Sequence, residues 1–277
     1  NIINKAANIT KDGFTNLRFA ALANVASYAP FLPAAYAKPG NPPSISIAVE
    51  CADVVLNAFN NSKDLQESRQ MLINQLEDAA DAISSTVTQL NKDFQIEFRG
   101  FDFSPAPFPE DWCSLGGAVE ALGLEHIGGL GALSAVALIA DTLDRGRWKK
   151  AGFNGMMLPV LEDSVLSRRA MEGSLSIQDL LLYSAVCGTG LDTIPLSGDV
   201  STDDLMCILS DIASLAIRLG KPLTARLMPL PGKQAGDLTD FDFEYFSNTR
   251  VLGCSGQHLK APFFGDNPFD LFPRSTR

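Results

Sequence analysis

The stretch GSLSIQDLLLYSAVCGTGLDTIPLSGD (173–199), continued after one long apolar-periodic run by PLTARLMPLPGKQAGDLTDF (222–241), decides the fold class. Ser176 precedes an apolar run and predicts a capped helix over 177–186; 190–196 reads as a strand. Ser201 or Thr202 then caps a helix over 203–219, whose first turn holds Asp203 and Asp204 at the positive end of the dipole. Gly220 stops that helix, and 223–230 returns as a strand. Helix, strand, helix and strand in this order need crossover connections. The reading is therefore an α/β protein with a largely parallel sheet.

Upstream the alternation continues. Leu65, Met71, Leu72, Leu76, Ala79, Ile83, Val87 and Leu90 recur at helical spacing and predict one long amphipathic helix over 63–91. FQIEFRGFDFS (94–104) alternates as a strand does, and Pro105, Pro107 and Pro109 end it. Helices are expected over 112–122, 132–143 and 164–171, a short strand over 125–127 and a buried strand over 155–160. Pro30 to Pro43 reads as a surface loop or lid.

At 277 residues and 46% hydrophobic content the chain can bury a large single core. A net charge of −10 with no clustered Lys and Arg argues against a nucleic-acid partner. No run of about 18 apolar residues is present, and no secretory leader pattern opens the chain, so the reading is a cytoplasmic protein without a membrane partner. Five widely spaced cysteines without a C-x-x-C disfavour a disulfide framework or structural zinc, and with only His126 and His258 a histidine-rich metal site is excluded. A carboxylate-bound divalent ion stays open; metal and cofactor are left unknown.

Several residue sets carry a family resemblance: Gly173-Ser174-Leu175; Cys187 with Gly190-Leu191-Asp192; Thr224, Arg226 and Pro229; Gly236-Asp237; and Pro159-Val160 before Glu162-Asp163. With FDFSPAPFP (101–109), LGLEHIGGLGALSAVALIADTL (122–143) and GFTNLRFAALANVA (13–26), they cover nearly the whole chain. The sequence resembles domain-of-unknown-function family 711, also called uncharacterised protein family 0210. The resemblance implies a β/α barrel like that of the pyruvate formate-lyase group. It also implies a substantial segment ahead of Asn1, so the barrel is expected to be incomplete at the N-terminus, with that segment missing, processed away or on a separate chain. Residues 1–253 are expected to form one α/β domain and 254–277 a C-terminal arm that packs on its own domain or on a neighbouring subunit, with Phe263, Phe264, Phe269 and Phe272 as its anchors.

Ligands of parallel α/β folds collect at the carboxyl ends of strands. Asp102 and Ser104, Glu162 and Asp163, Asp192 and Arg226 all fall at such places. Arg226 is the candidate anchor for a small anionic ligand, because its planar fork donates two parallel charge-assisted bonds; the alternative is an ion pair with Asp192 on the neighbouring strand. Asp102, Glu162 and Asp192 are the candidate catalytic acids and bases, with Ser104 beside them in ligand binding. Gly128, Gly129 and Gly131, between a short strand and a helix, form either a small anion cradle or a close-packing turn. Family members carry a His in this turn where Leu130 stands here. Cys187, at a helix C-terminus, is weighed as a core residue rather than a nucleophile. Three functional classes follow: an acid-base or metal-assisted enzyme, a non-catalytic ligand sensor, and a structural subunit completed by self-association or another segment.

Overall fold

A computed structural model of the chain describes residues 1–33, 40–187, 189–254 and 270–274. Its elements in order are α1 (Ile2–Ala7), β1 (Ala21–Ala23), β2 (Ser44–Ala48), α2 (Ala52–Asn60), α3 (Leu65–Phe94), β3 (Glu97–Asp102), α4 (Leu115–Glu120), α5 (Ala132–Arg145), α6 (Ser164–Glu172), α7 (Ile177–Val186), β4 (Gly190–Ser197), α8 (Thr202–Leu219) and β5 (Leu223–Leu230). Two 3-10 turns, Phe14–Arg18 and Asp111–Cys113, complete the set.

The strands form one sheet in the order β1-β5-β4 and another pairing β2 with β3. β4 runs parallel to β5 and β2 parallel to β3, whereas β1 is antiparallel to β5. Single parallel bridges, Phe101 with Lys150, Pro159 with Asp192 and Leu196 with Leu252, extend both sheets. The fold is mixed α/β. Among the described residues the two sheets do not close into a barrel.

β5 is buried on both faces, which explains its unbroken apolar character. Leu223, Ala225 and Leu227 face the main core, which also takes in Leu72 and Leu76 of α3, Phe101 of β3 and Ile139 of α5. Met228 and Leu230 face a second core with Leu161, Phe241, Phe246 and Val251, closed over by Phe14, Leu17 and Phe243. The period of two therefore puts Arg226 on the second-core side.

Helix starts follow the sequence chemistry. Ser176 and Ser201 make reciprocal capping boxes with Asp179 and Asp204, and Asp64 accepts from the backbone N–H groups of Gln66 and Glu67. The helix expected over 112–122 is shorter: Ser114 accepts from Gly117 N and starts α4 afresh after the 3-10 turn. The strand expected over 125–127 is instead a turn, in which Glu120 accepts from Ile127 N at 3.1 Å and Gly129 N donates to His126 O at 3.1 Å. The strand expected over 155–160 is buried but pairs only at a single bridge, Pro159 with Asp192, where Val160 N donates to Asp192 O.

Of the expected C-terminal arm, the described residues 270–274 meet the C-terminal end of α8 at Arg218. Arg218 donates to Phe272 O at 2.6 Å, and Arg274 N donates to Arg218 O at 3.0 Å. Phe263, Phe264 and Phe269 lie outside the described residues. No helix among the described residues is long and apolar enough to cross a membrane.

Candidate functional site

Arg226 sits opposite an irregularity in β4. Leu191 pairs with Ala225 and Ile194 with Leu227, so Asp192 and Thr193 together face the single residue Arg226, a β-bulge. The extra residue resets the alternation: Leu191, Ile194 and Leu196 all reach the main core. It also leaves Thr193 at φ 40°, where a β-branched residue is rare. This backbone is held from both sides. Thr193 N donates to Asp192 Oδ1 at 2.9 Å, Leu161 N to Thr193 Oγ1 at 3.3 Å, and Val160 N to Asp192 O at 3.1 Å.

The result is an ionic triad from three neighbouring segments. Arg226 Nε donates to Asp192 Oδ1 at 2.5 Å and Nη2 to Glu162 Oε1 at 3.0 Å, while Nη1 makes a long 3.4 Å contact with Leu17 O. The Arg226 to Asp192 ion pair weighed from the sequence is thus present, with Glu162 added to it. Asp192 is almost fully buried, whereas Glu162 keeps 23% of its side chain exposed. Burial first, then the charge of Asp192, pushes Glu162 from 4.5 up to about 7; Arg226 opposes the shift and Glu50 adds to it. Burial acts to lower the Arg226 value, but Asp192 and Glu162 outweigh it and hold the guanidinium charged.

Beside the triad lies a cleft of about 450 Å³. Arg226 lines it with Leu17, Arg18, Phe19, Leu22 and Leu32. Sequence reasoning did not reach Leu17 and Arg18 as site residues, although their segment, GFTNLRF, is among those that carry the family resemblance. Thr193 was also missed, and a bulge leaves no periodic signal in an already apolar strand.

Asp102 and Ser104 occupy a different position. Asp102 is fully buried; its Oδ1 accepts from Ser104 Oγ at 2.6 Å, Ser104 N at 3.0 Å and Asn154 N at 2.9 Å, and its Oδ2 from Phe153 N at 2.7 Å. Ser104 Oγ in turn accepts from Gly155 N at 3.1 Å. A carboxylate so occupied anchors the 152–155 loop. Gly152, at φ 72°, leaves room for it, since a Cβ there would stand 2.1 Å from Asp102 Oδ2. Burial raises the Asp102 value, and the bonds from Ser104, Phe153 and Asn154 partly offset the rise.

Asp163 caps two helices at once. It accepts from Val165 N and Leu166 N of α6, and from Ser114 Oγ, Leu115 N and Gly116 N at the start of α4, all within 3.1 Å. In the glycine turn, a Cβ on Gly128 would stand 1.5 Å from Ser174 O, so this glycine allows two backbones to touch. Leu130 at its tip is fully exposed. Cys187 is buried, and its thiol donates to Met156 O at 3.0 Å. Among the described residues, no group of three or more His, Cys, Asp or Glu is arranged to hold a metal ion.

The family model described as Uncharacterised ACR (DUF711) matches residues 1–248. The chain belongs to this family. Among similar proteins, the UPF0210 protein of Pyrobaculum aerophilum is 35% identical over 236 residues, 80% of this chain and 51% of that protein. That of Pyrobaculum arsenaticum is 33% identical over 236 residues, with the same two shares. The UPF0210 protein of Syntrophobacter fumaroxidans is 31% identical over 254 residues, 86% of this chain and 55% of that protein. The chain spans about half the length of the curated relatives it matches.

Proposed function

We propose that this DUF711 chain binds a small anionic metabolite in the cleft beside Arg226 and moves a proton to or from it through Glu162. The observation that carries the reading is the placement of Glu162: a carboxyl pushed up to about 7, partly exposed, bonded to an arginine that lines a cleft. A group titrating near neutral pH can both accept and return a proton at working rates. Asp192 has two jobs in this scheme. It fixes the plane of the Arg226 guanidinium and, by its charge, raises Glu162. Arg226 would stabilise negative charge growing on a substrate oxygen as Glu162 removes a neighbouring proton. Asp102 and Ser104 support the site at a distance by holding the 152–155 loop.

We also propose that β2, β3, β4 and β5, with the bridging segments at Lys150 and Pro159, are consecutive parts of a β/α barrel of the pyruvate formate-lyase type. The parallel pairings and the position of Asp102 at the end of β3, with Glu50 just after β2, support this arrangement.

Solvent exchange tests the functional reading. Small 2-oxo and 2-hydroxy carboxylates incubated with the protein in deuterium oxide should lose the proton signal of one activated C–H. Glu162→Gln should slow that loss by about 10²-fold or more, and Arg226→Lys should raise the concentration needed. Exchange by Glu162→Gln at the wild-type rate rules the proton-transfer role out. Native mass spectrometry that releases a bound anion from a protein showing no exchange supports a ligand sensor instead.

A further inference from the structure

The triad leaves open what anchors a ligand, because the charge of Arg226 is already matched by Asp192 and, when ionised, by Glu162. Arg18 differs. It closes the 3-10 turn Phe14–Arg18, lines the same cleft, and its guanidinium makes no hydrogen bond or ion pair among the described residues. On a chain of net charge −10, an unpaired guanidinium at a cleft whose mixed lining includes apolar walls is a local excess of one positive charge. Leu17, Phe19, Leu22, Leu32 and Pro33 supply those walls.

We propose that Arg18 is the anion anchor of the cleft and that the ligand is a monocarboxylate with a short branched aliphatic body. This rests on the reading that the cleft beside Arg226 is the binding site, and it names the ligand class. Charge count favours a monoanion: Arg18 and Arg226 against Asp192 leave one uncompensated positive charge while Glu162 is protonated. A phosphate dianion would face Asp192 and Glu162 undercompensated. Size also fits. About 450 Å³ corresponds to roughly fifteen water volumes, enough for a body of about ten non-hydrogen atoms with its solvent. With its carboxylate on Arg18, the aliphatic part lies along Leu17 and Phe19, toward Arg226.

The probe is 4-methylpentanoate, with 4-methylpentanamide as its uncharged counterpart and inorganic phosphate as the competing anion. Titrations are followed through the side-chain Nε–H signals of Arg18 and Arg226. The acid should bind at least about tenfold more tightly than the amide and shift the Arg18 signal. Arg18→Ala should lose about tenfold or more, and Arg18→Lys should retain part of the affinity. Arg18 is exposed, so both variants should keep the wild-type unfolding midpoint, which is checked alongside. Equal binding of acid and amide, undiminished acid binding by Arg18→Ala, or tighter binding of phosphate each overturns the proposal. Neither probe undergoes proton transfer, so binding is read apart from turnover, and the titrations are run at pH 6, below the value of about 7 for Glu162. A Glu162 that titrates in the ordinary carboxylate range defeats the catalytic reading and removes the charge count as support; the acid–amide difference and its loss in Arg18→Ala then decide the Arg18 proposal by themselves.

Discussion

Replacing Glu162 by Gln should alter the pH dependence of stability in a direction opposite to that of a usual surface carboxylate. Gln keeps an oxygen for Arg226 Nη2 but has no charge to bury. In the native protein Glu162 is pushed from 4.5 to about 7. Below 4.5 it is protonated in both folded and unfolded chains and no penalty arises. Between 4.5 and 7 the folded state holds the proton that the unfolded state releases, so stability falls as pH rises and reaches its full loss above 7. At 1.36 kcal/mol per unit the full loss is about 3 kcal/mol, of which roughly 2–3 kcal/mol develops between pH 5 and 8.5. Buried Asp102 and Asp163 are also raised, but they are common to both proteins and cancel in the difference. Urea unfolding of wild type and Glu162→Gln at the two pH values, with m held constant, gives that difference. The variant should gain about 2–3 kcal/mol on wild type at the higher pH. Parallel curves, agreeing within about 0.5 kcal/mol, would refute the argument that burial and Asp192 hold Glu162 protonated.

Other perturbations probe the frame around the site. Asp163→Ala removes the cap of two helices and leaves several buried N–H groups without an acceptor; a loss of about 3 kcal/mol or more is expected in chemical denaturation. Gly128→Ala forces a Cβ onto Ser174 O and should cost about 3–5 kcal/mol by the same assay, whereas the nearby exposed Leu130→Ala should be nearly silent. Asp102→Asn places an amide N–H₂ against donors from Ser104, Phe153 and Asn154 and should destabilise by about 1–3 kcal/mol, with amide exchange rising first in the 152–155 loop.

What could be read from the sequence was whatever local chemistry dictates. α3, α6, α7 and α8 announce themselves by spacing and by Ser or Asp caps, α5 by spacing alone after its glycine turn, and β3, β4 and β5 by alternation or apolar runs closed by Gly and Pro. Arg226 and Asp192 fall next to each other because β4 and β5 are parallel neighbours with Asp192 in the bulge opposite Arg226, and Glu162 joins them as the first acidic residue after Pro159-Val160. The remainder depends on distance along the chain. α2 and β2 follow a Pro-rich stretch that masks their short patterns. The bulge at Asp192-Thr193 arises from which face must reach the main core, a tertiary demand with no local mark. Leu17 and Arg18 meet Arg226 across more than two hundred residues, and no spacing rule reaches that far.

The most direct test of the central claim is a pH titration of the Glu162 side-chain carboxyl by carbon NMR, assigned by comparison with Glu162→Gln. A midpoint near 7, in place of the ordinary 4.5, is the result the proton-transfer account predicts. A midpoint in the ordinary carboxylate range would show a permanently ionised partner of Arg226, and the triad would then be a structural ion network and no acid-base centre.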